Sequence, residues 1–173
     1  MAEGEGIIVK VVKDLFREVP KDVGTAGAED LARHEAPKIA QGFTERQFKR
    51  FALKARQLVK EARLPEGDLV VQGSRAKSLA KNASDIDVAL RVDDRTFFDM
   101  AEKVLARARP ETRLRASMLR RINVNGQLAS FDLGTDFTRL RRAMLDPESP
   151  YKVQFSVIRK GGKFDNGPFI PLN

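Results

Sequence analysis

Apolar residues recur at helical spacing after Thr44 and predict the clearest element of the chain. They form one face of a helix that consists of Phe48, Phe51, Ala52, Ala55, Leu58, Val59 and Ala62. Thr44, followed three residues later by Gln47, is typical of a capping box at a helix start. Pro65 and Gly67 are expected to end this helix. Basic residues fill its other faces. A solvated surface is sufficient to explain this pattern, so the helix alone does not indicate RNA binding.

Shorter apolar runs predict a mixed set of strands and helices further along. We expect strands at residues 69–71, 86–92 and 153–158, and helices at residues 74–81, 96–107 and 139–145. Asn125-Gly126 predicts a hairpin that joins strands at 122–124 and 128–133. No regular structure is expected from Gly161 onward. Together these elements predict an α+β fold, a small mixed β-sheet with flanking helices.

The first 43 residues carry weaker patterns. Residues 7–16 are compatible with a short helix or strand, and residues 28–40 with a modest helix that contains His34, which we interpret as a surface residue. We therefore expect residues 1–43 to be an N-terminal helical extension or linker and residues 44–173 to be the functional domain.

The net charge also differs between residues 1–43 and residues 44–173. The chain has 32 Lys and Arg against 24 Asp and Glu, a net charge of +8. Residues 1–43 carry a net −2, so residues 44–173 carry +10. A positive field of this size attracts polyanions such as RNA, DNA or nucleotide phosphates, although solubility or an acidic partner would also explain it.

Composition excludes several kinds of chemistry. The chain has no Cys and a single His, so disulfides, thiol nucleophiles and zinc-thiolate sites are excluded. No apolar run is long enough to cross a bilayer, and we expect no membrane association. We also expect no signal peptide, because residues 7–16 are too short and too charged for one.

One segment, VVQGSRAKSLAKNASDIDVALRV at residues 70–92, concentrates candidate chemistry. Gly73 at a strand end allows a sharp turn and a close backbone approach to a ligand. Ser74 offers donors at the start of a short helix, and Arg75 and Lys77 add positive charge beside it.

Two carboxylates follow in the next strand. Strand alternation places Asp85 and Asp87 on one face while Ile86 points to the core. Paired carboxylates facing an anion-binding turn suit a hard cation such as Mg²⁺ that bridges protein and phosphate oxygens. A lone Asp-x-Asp means little, but the ordered set of strand, Gly-Ser, short helix and Asp-x-Asp within an apolar strand is more specific.

This ordered set, GSRA followed by SDIDVAL, resembles the nucleotidyltransferase superfamily typified by DNA polymerase beta, in its minimal nucleotidyltransferase form. FTERQFKRF and SVIRKGGKFDNGPFIPL are further similar to the nucleotidyltransferase-like toxin domains at the C-termini of bacterial polymorphic toxins, the contact-dependent inhibition and Rhs proteins. The resemblance runs from Phe43 to the end of the chain and implies a polymerase beta palm-like core.

The resemblance also implies a site for two Mg²⁺ ions. Gly73 and Ser74, with Arg75 and Lys77 beside them, would hold the NTP phosphates, and Asp85 and Asp87 would bind metal. A third carboxylate is expected from a neighbouring strand. Gln154 occupies the position of an Asp in KVQFSVI, so Asp132 is the expected third ligand and Gln154 the alternative, with Asp136 and Asn123 weaker choices.

The implied function is transfer of an NMP from an NTP onto RNA, possibly tRNA, by the toxin module of a larger secreted bacterial protein that acts in the cytoplasm of the target cell. A cognate immunity protein would be its partner. Basic residues 103–121, above all Arg113, Arg115, Arg120 and Arg121, are the expected acceptor-binding residues. The alternatives are an acceptor hydroxyl on a protein or small molecule, and a degenerate domain that binds nucleic acid or a partner without catalysis.

Overall fold

The computed structural model describes residues 38–172, which lie in the second of the two units into which the chain divides, Glu35 to Asn173. The elements expected at residues 7–16 and most of 28–40, with His34, lie outside the described residues. The described elements, in chain order, are α1 (Glu45–Glu61), β1 (Asp68–Gln72), β2 (Ile86–Val92), α2 (Asp94–Ala106), α3 (Arg113–Arg120), β3 (Gln127–Ala129), α4 (Thr135–Leu145), β4 (Val153–Arg159) and β5 (Ile170–Pro171). No helix in this part of the chain is long and apolar enough to span a membrane.

Helix α1 begins where the sequence predicts it. The Gln47 amide donates to the Thr44 hydroxyl at 3.2 Å, and the Thr44 amide donates to Gln47 Oε1 at 3.0 Å, which completes the capping box. The buried face consists of Phe48, Phe51, Ala52, Ala55 and Leu58. The apolar spacing therefore predicted both the helix and the side that packs.

The five strands form one mixed sheet in the order β3-β4-β2-β1-β5. Strands β2 and β4 pair in parallel, and the other neighbours pair antiparallel. The prediction of an α+β fold with a small mixed sheet is confirmed. A parallel pair needs a long crossover connection, and α2, α3, β3 and α4 supply it between β2 and β4.

The two faces of the sheet differ in character. One face is apolar and buried, and α2 and α4 contact β4. Its side chains include Leu69, Val71, Ile86, Val88, Leu90, Val153, Phe155, Val157 and Leu128. The opposite face, here called the open face, is polar at the end where β2 and β4 begin. Further along it Val70, Ala89 and Ile158 form a small apolar cluster against which Phe169 packs.

The predicted hairpin at Asn125-Gly126 is wrong. Helix α3 continues into a π-helical turn, Arg121–Asn125, which ends at Gly126 with a left-handed φ of 62°. Met118 and Ile122 are both buried, so the apolar spacing there is helical. A glycine with positive φ serves a helix C-terminus as well as a hairpin turn, and here it ends the helix. Only Gln127–Ala129 forms a strand.

Two further expectations are corrected. Residues 74–81 form a single turn rather than a helix, with the Lys77 amide donating to Gly73 O at 3.1 Å and the Leu79 amide to Ser74 O at 2.9 Å. The segment after Gly161 contains β5, which pairs with β1. Ile170 and Leu172 are fully buried, so this segment belongs to the core.

Asp165 fastens the last segment to β2. Its carboxylate accepts from Arg91 Nε at 2.6 Å and from Arg91 Nη2 at 3.1 Å, and its side chain is 8% exposed. Burial opposes ionisation of Asp165, but hydrogen bonds from Arg91 and the Gly161 amide, with the charges of Arg91 and Lys160, outweigh it and lower the pKa of Asp165.

We expect Asp165→Asn to destabilise the protein by about 2 kcal/mol at pH 7, because a charge-assisted pair is lost from a shielded site. A lowered folded-state pKa contributes stability above the unfolded pKa of about 4, and this contribution is lost as pH falls through the folded value. Urea unfolding should therefore show a difference between variant and wild type at pH 7 that shrinks below about pH 4. Asp136→Asn, at an exposed pair with Arg139, is the control with little expected effect. Equal stability of Asp165→Asn and wild type at pH 7 would contradict this account.

Candidate functional site

Asp85 and Asp87 lie where β2 begins. Asp85 directly precedes the strand, and Asp87 is its second residue, on the open face. Asp85 accepts a hydrogen bond from Gln154 Nε2, and Lys152 Nζ lies 3.9 Å from Asp85 Oδ2. The predicted placement of two carboxylates on one side of a strand agrees with this arrangement.

A row of three polar side chains crosses the sheet at this point. Gln72 of β1 and Gln154 of β4 are the register partners of Asp87 on its two sides. Residues directly opposite each other project to the same face, so all three lie on the open face. Gln72 Oε1 is buried and has no hydrogen-bond partner among the described residues. A buried carbonyl oxygen without a donor is costly unless a ligand satisfies it.

Asp87 is the least compensated carboxylate of the site. Burial, and secondarily the charge of Asp85, raise the pKa of Asp87. No side chain or amide of the described residues donates a hydrogen bond to its carboxylate, and no ion pair reaches it. A half-buried anion beside a second anion marks a site that favours a cation.

The turn after β1 packs against Asp87. Gly73 has a φ of +76°, and a Cβ at this position would collide with the Asp87 carboxylate. Glycine is therefore required here for both conformation and space. The amides of Ser74 and Arg75 find no acceptor in the described part of the chain. Free donors thus lie next to the carboxylate pair.

Arg75 does not face this opening. It is 2% exposed, and its guanidinium donates to Ser84 O, Asn82 O and Gln41 O at 2.6 to 3.4 Å. It also stacks on Tyr151, 3.1 Å from the ring centroid. These contacts make Arg75 a residue that positions the loop, and they leave it unable to reach a phosphate. Lys77, which is exposed, remains the basic side chain of the turn.

Asp132 is engaged elsewhere. Its carboxylate accepts from Arg121 Nη2 at 2.6 Å, from Arg121 Nε at 3.1 Å and from the Ala129 amide at 2.8 Å, and its side chain is 1% exposed. Both oxygens are occupied, so the structure does not support Asp132 as a metal ligand. Asp136 is exposed beside Arg139, and Asn123 is exposed in the π-helical turn.

Gln154 is therefore the third-position candidate that the structure places at the site. Among the described residues no group of three or more His, Asp or Glu side chains could hold a metal ion. The available ligands are two carboxylates and the neighbouring amides of Gln154 and Gln72. Sequence reasoning missed Gln72, although its position immediately before Gly73 was the available signal.

The expected acceptor-binding arginines divide into two pairs. Arg113 and Arg120 are exposed and have no partner in the described residues. Arg115 is partly buried, where its guanidinium donates to Leu105 O and Ala108 O, and Arg121 is held by Asp132. Only the first pair is free to bind a polyanion, and the second pair anchors α3.

Asp132 and Asp87 should respond in opposite directions when each is replaced by Asn, because the first is paired and the second is not. In EDTA at pH 7, Asp132→Asn should destabilise the protein by about 3 kcal/mol, because Arg121 loses a buried anion. Asp87→Asn should instead stabilise it, because a raised folded-state pKa makes ionised Asp87 unfavourable above the unfolded pKa of about 4. The gain should accordingly vanish at lower pH. Urea unfolding measures both effects. A loss of stability in Asp87→Asn would contradict the conclusion that the Asp87 carboxylate is uncompensated in the folded protein.

No protein-family model matches this chain, and neither the curated proteins nor the solved structures contain a match. Its function must therefore be inferred from its own residues.

Proposed function

We propose that this chain is a magnesium-dependent nucleotidyltransferase that moves an NMP from an NTP onto an RNA acceptor such as a tRNA. One observation carries the proposal: the Gly73 turn, with free amides, packs against the uncompensated carboxylate of Asp87. Donors for an anion and acceptors for a cation therefore adjoin each other, as a metal-bound triphosphate requires.

The donor set fits Mg²⁺. Asp85 and Asp87 supply carboxylate oxygens, and Gln72 supplies a buried carbonyl oxygen to which none of the described residues donates. Mg²⁺ prefers such hard oxygen ligands and is commonly held by one or two carboxylates together with substrate phosphates. When bound, it would neutralise phosphate charge and favour the deprotonated acceptor hydroxyl. The two carboxylates do not carry enough negative charge to balance two Mg²⁺ ions. A second Mg²⁺ would therefore need the phosphate oxygens of the NTP as further ligands.

The side chains and amides have separable tasks in this reaction. The Ser74 and Arg75 amides, with Lys77, receive phosphate oxygens, while the buried Arg75 guanidinium fixes the loop that presents them. The acceptor hydroxyl loses its proton to solvent and attacks the α-phosphorus. A new P–O bond forms, and the bond from the α-phosphorus to the oxygen that bridges it to the β-phosphorus breaks, so that pyrophosphate leaves. Asp85 and Asp87 would hold the cation, and the bound cation would help to orient the reacting oxygens.

The acceptor is proposed to be RNA because of the remaining positive charge. The side chains of Arg113, Arg120 and Lys77 are exposed and have no partner among the described residues. Exposed cations of this kind attract polyanions and release counterions on binding. The similarity to polymorphic toxin domains further suggests a toxin module carried by a secreted bacterial protein, a target in the recipient cytoplasm, and an immunity protein as partner.

Gln154 favours a second candidate function, a degenerate domain that binds without catalysis. The Gln154 side-chain amide donates to Asp85. In the toxin-domain pattern that KVQFSVI resembles, the position of Gln154 is an Asp, so this chain lacks a carboxylate there. A transferase with a protein or small-molecule acceptor would use the same site and differ only in its substrate.

Carboxylate removal tests catalysis. With α-³²P-labelled NTPs, Mg²⁺ and total RNA or lysate protein, the wild type should label RNA. Asp85→Asn and Asp87→Asn should lower the rate by about a hundredfold or more, since the cation that organises the phosphates is lost. Asp136→Asn, an exposed aspartate in α4, is the matched control and should keep full activity. Label in protein alone would refute the RNA acceptor, and activity that survives both substitutions would refute the site.

Restoring a third carboxylate tests the role of Gln154. Gln154→Asp should lower the Mg²⁺ concentration for half-maximal rate by about tenfold, because ligand charge largely sets affinity for hard cations. Gln154→Glu, with a longer side chain, shows how strictly geometry matters. An unchanged or increased Mg²⁺ requirement in Gln154→Asp would indicate that this side chain does not face the cation.

A further inference from the structure

Phe131 is an exposed aromatic ring that is held from one side only. It follows β3, is 59% exposed, and has the Arg121 guanidinium 4.5 Å from its ring centroid. Arg121 is itself fixed by Asp132 and by the Ser117 hydroxyl at 2.7 Å. Among the described residues, four aromatic rings have a stacked arginine, and only Phe131 of these is exposed. The ring is therefore rigidly backed and open on its other face.

Strand direction places this ring at the site's edge of the sheet. Strands β2 and β4 are parallel and β3 is antiparallel to β4, so the chain leaves β3 where β2 and β4 begin. The Ser130 hydroxyl donates to Phe155 O at 2.8 Å, next to Gln154. Two strand spacings separate β3 from β2, about 10 Å. Phe131 thus lies on the same edge as Asp87, at a distance that a few nucleotides can span.

The surroundings of Phe131 are basic. Arg107 Nη1 lies 3.8 Å from the position of a Cβ on Gly134, three residues after Phe131. Arg113 and Arg120, from the helix that leads into Arg121, are exposed and have no partner in the part of the chain that the structure describes. Asp132, the acid next to Phe131, is buried and neutralised by Arg121. Positive charge therefore accompanies the open aromatic face.

We propose that Phe131, backed by Arg121, is a stacking platform for an unpaired base of a single-stranded acceptor, with Arg107 contacting its backbone. This inference rests on the proposed function and names the form of nucleic acid that the site accepts. Every base offers a π-face, and stacking on an aromatic residue combines with a basic groove in single-strand binding. A duplex hides its base faces, so it would lack this contact.

Fluorescence anisotropy with a 5′-labelled 12-nucleotide RNA and the matching duplex, in EDTA and without NTP, tests the platform apart from catalysis. Phe131→Leu should weaken single-strand binding by about fivefold or more and leave duplex binding unchanged. Phe131→Trp should retain single-strand binding. Phe164→Leu removes another exposed ring that has no arginine against it, and should have no effect. Arg107→Gln should flatten the dependence of binding on salt by about one counterion. Thermal unfolding checks that every variant is folded.

Several results would overturn the platform: no single-strand binding by the wild type, equal binding by folded Phe131→Leu, or an equal loss for single strand and duplex. Poly-glutamate serves as a competitor of the RNA. If it competes, and if Phe131→Leu weakens its binding as much as that of the RNA, the surface binds an acidic protein instead. The two proposals fail separately. If Asp87→Asn binds the single strand normally but the wild type transfers no nucleotide, the platform stands and the proposed reaction does not.

Discussion

The candidate site depends on one buried cation, the guanidinium of Arg75. It holds the loop between β1 and β2 from within, through Ser84 O and Asn82 O, and ties that loop to Gln41 O. Gln41 reinforces the link through the amide and carbonyl groups of Ala80. Because the loop is fixed internally, Gly73 stays against Asp87. The guanidinium lies over Tyr151, close to the start of β4, so the same residue relates both site-bearing strands.

The sheet separates stability from chemistry by its two faces. The apolar face buries the large side chains. On the open face, among the described residues, Asp87 has no cationic partner and Asp85 has only Lys152 at 3.9 Å. Such an arrangement raises the free energy of the folded state, and functional sites commonly retain it. Elsewhere in the described residues, buried acids are paired: Asp132 with Arg121 and Asp165 with Arg91. Asp87 differs from both because its nearest charged neighbour is another acid.

The sequence predicted the parts of this molecule that depend on local pattern. Alternation and capping located α1, β2 and β4, and the Gly73 to Asp87 spacing brought a turn and two carboxylates together. Pairing across the sheet was not readable, because strand register and side-chain partners depend on distant residues. Arg75 and Asp132 were therefore expected to bind ligands, although each is bound within the protein. Gly126 was misread because one backbone conformation ends both helices and hairpins.

The parallel pairing of β2 with β4 has a consequence for how the site comes into being. Asp85 and Gln154 contact each other across 69 positions of the chain, and α2, α3, β3 and α4 lie between them. Contacts of such long sequence separation carry a large loop-closure entropy and slow folding. The Gly73 turn and Asp87 can meet early through the local β1–β2 hairpin, whereas Gln154 joins them only when β4 docks. During synthesis the chain would therefore form the Gly73 turn beside Asp87 well before the acid pair gains Gln154 as its neighbour.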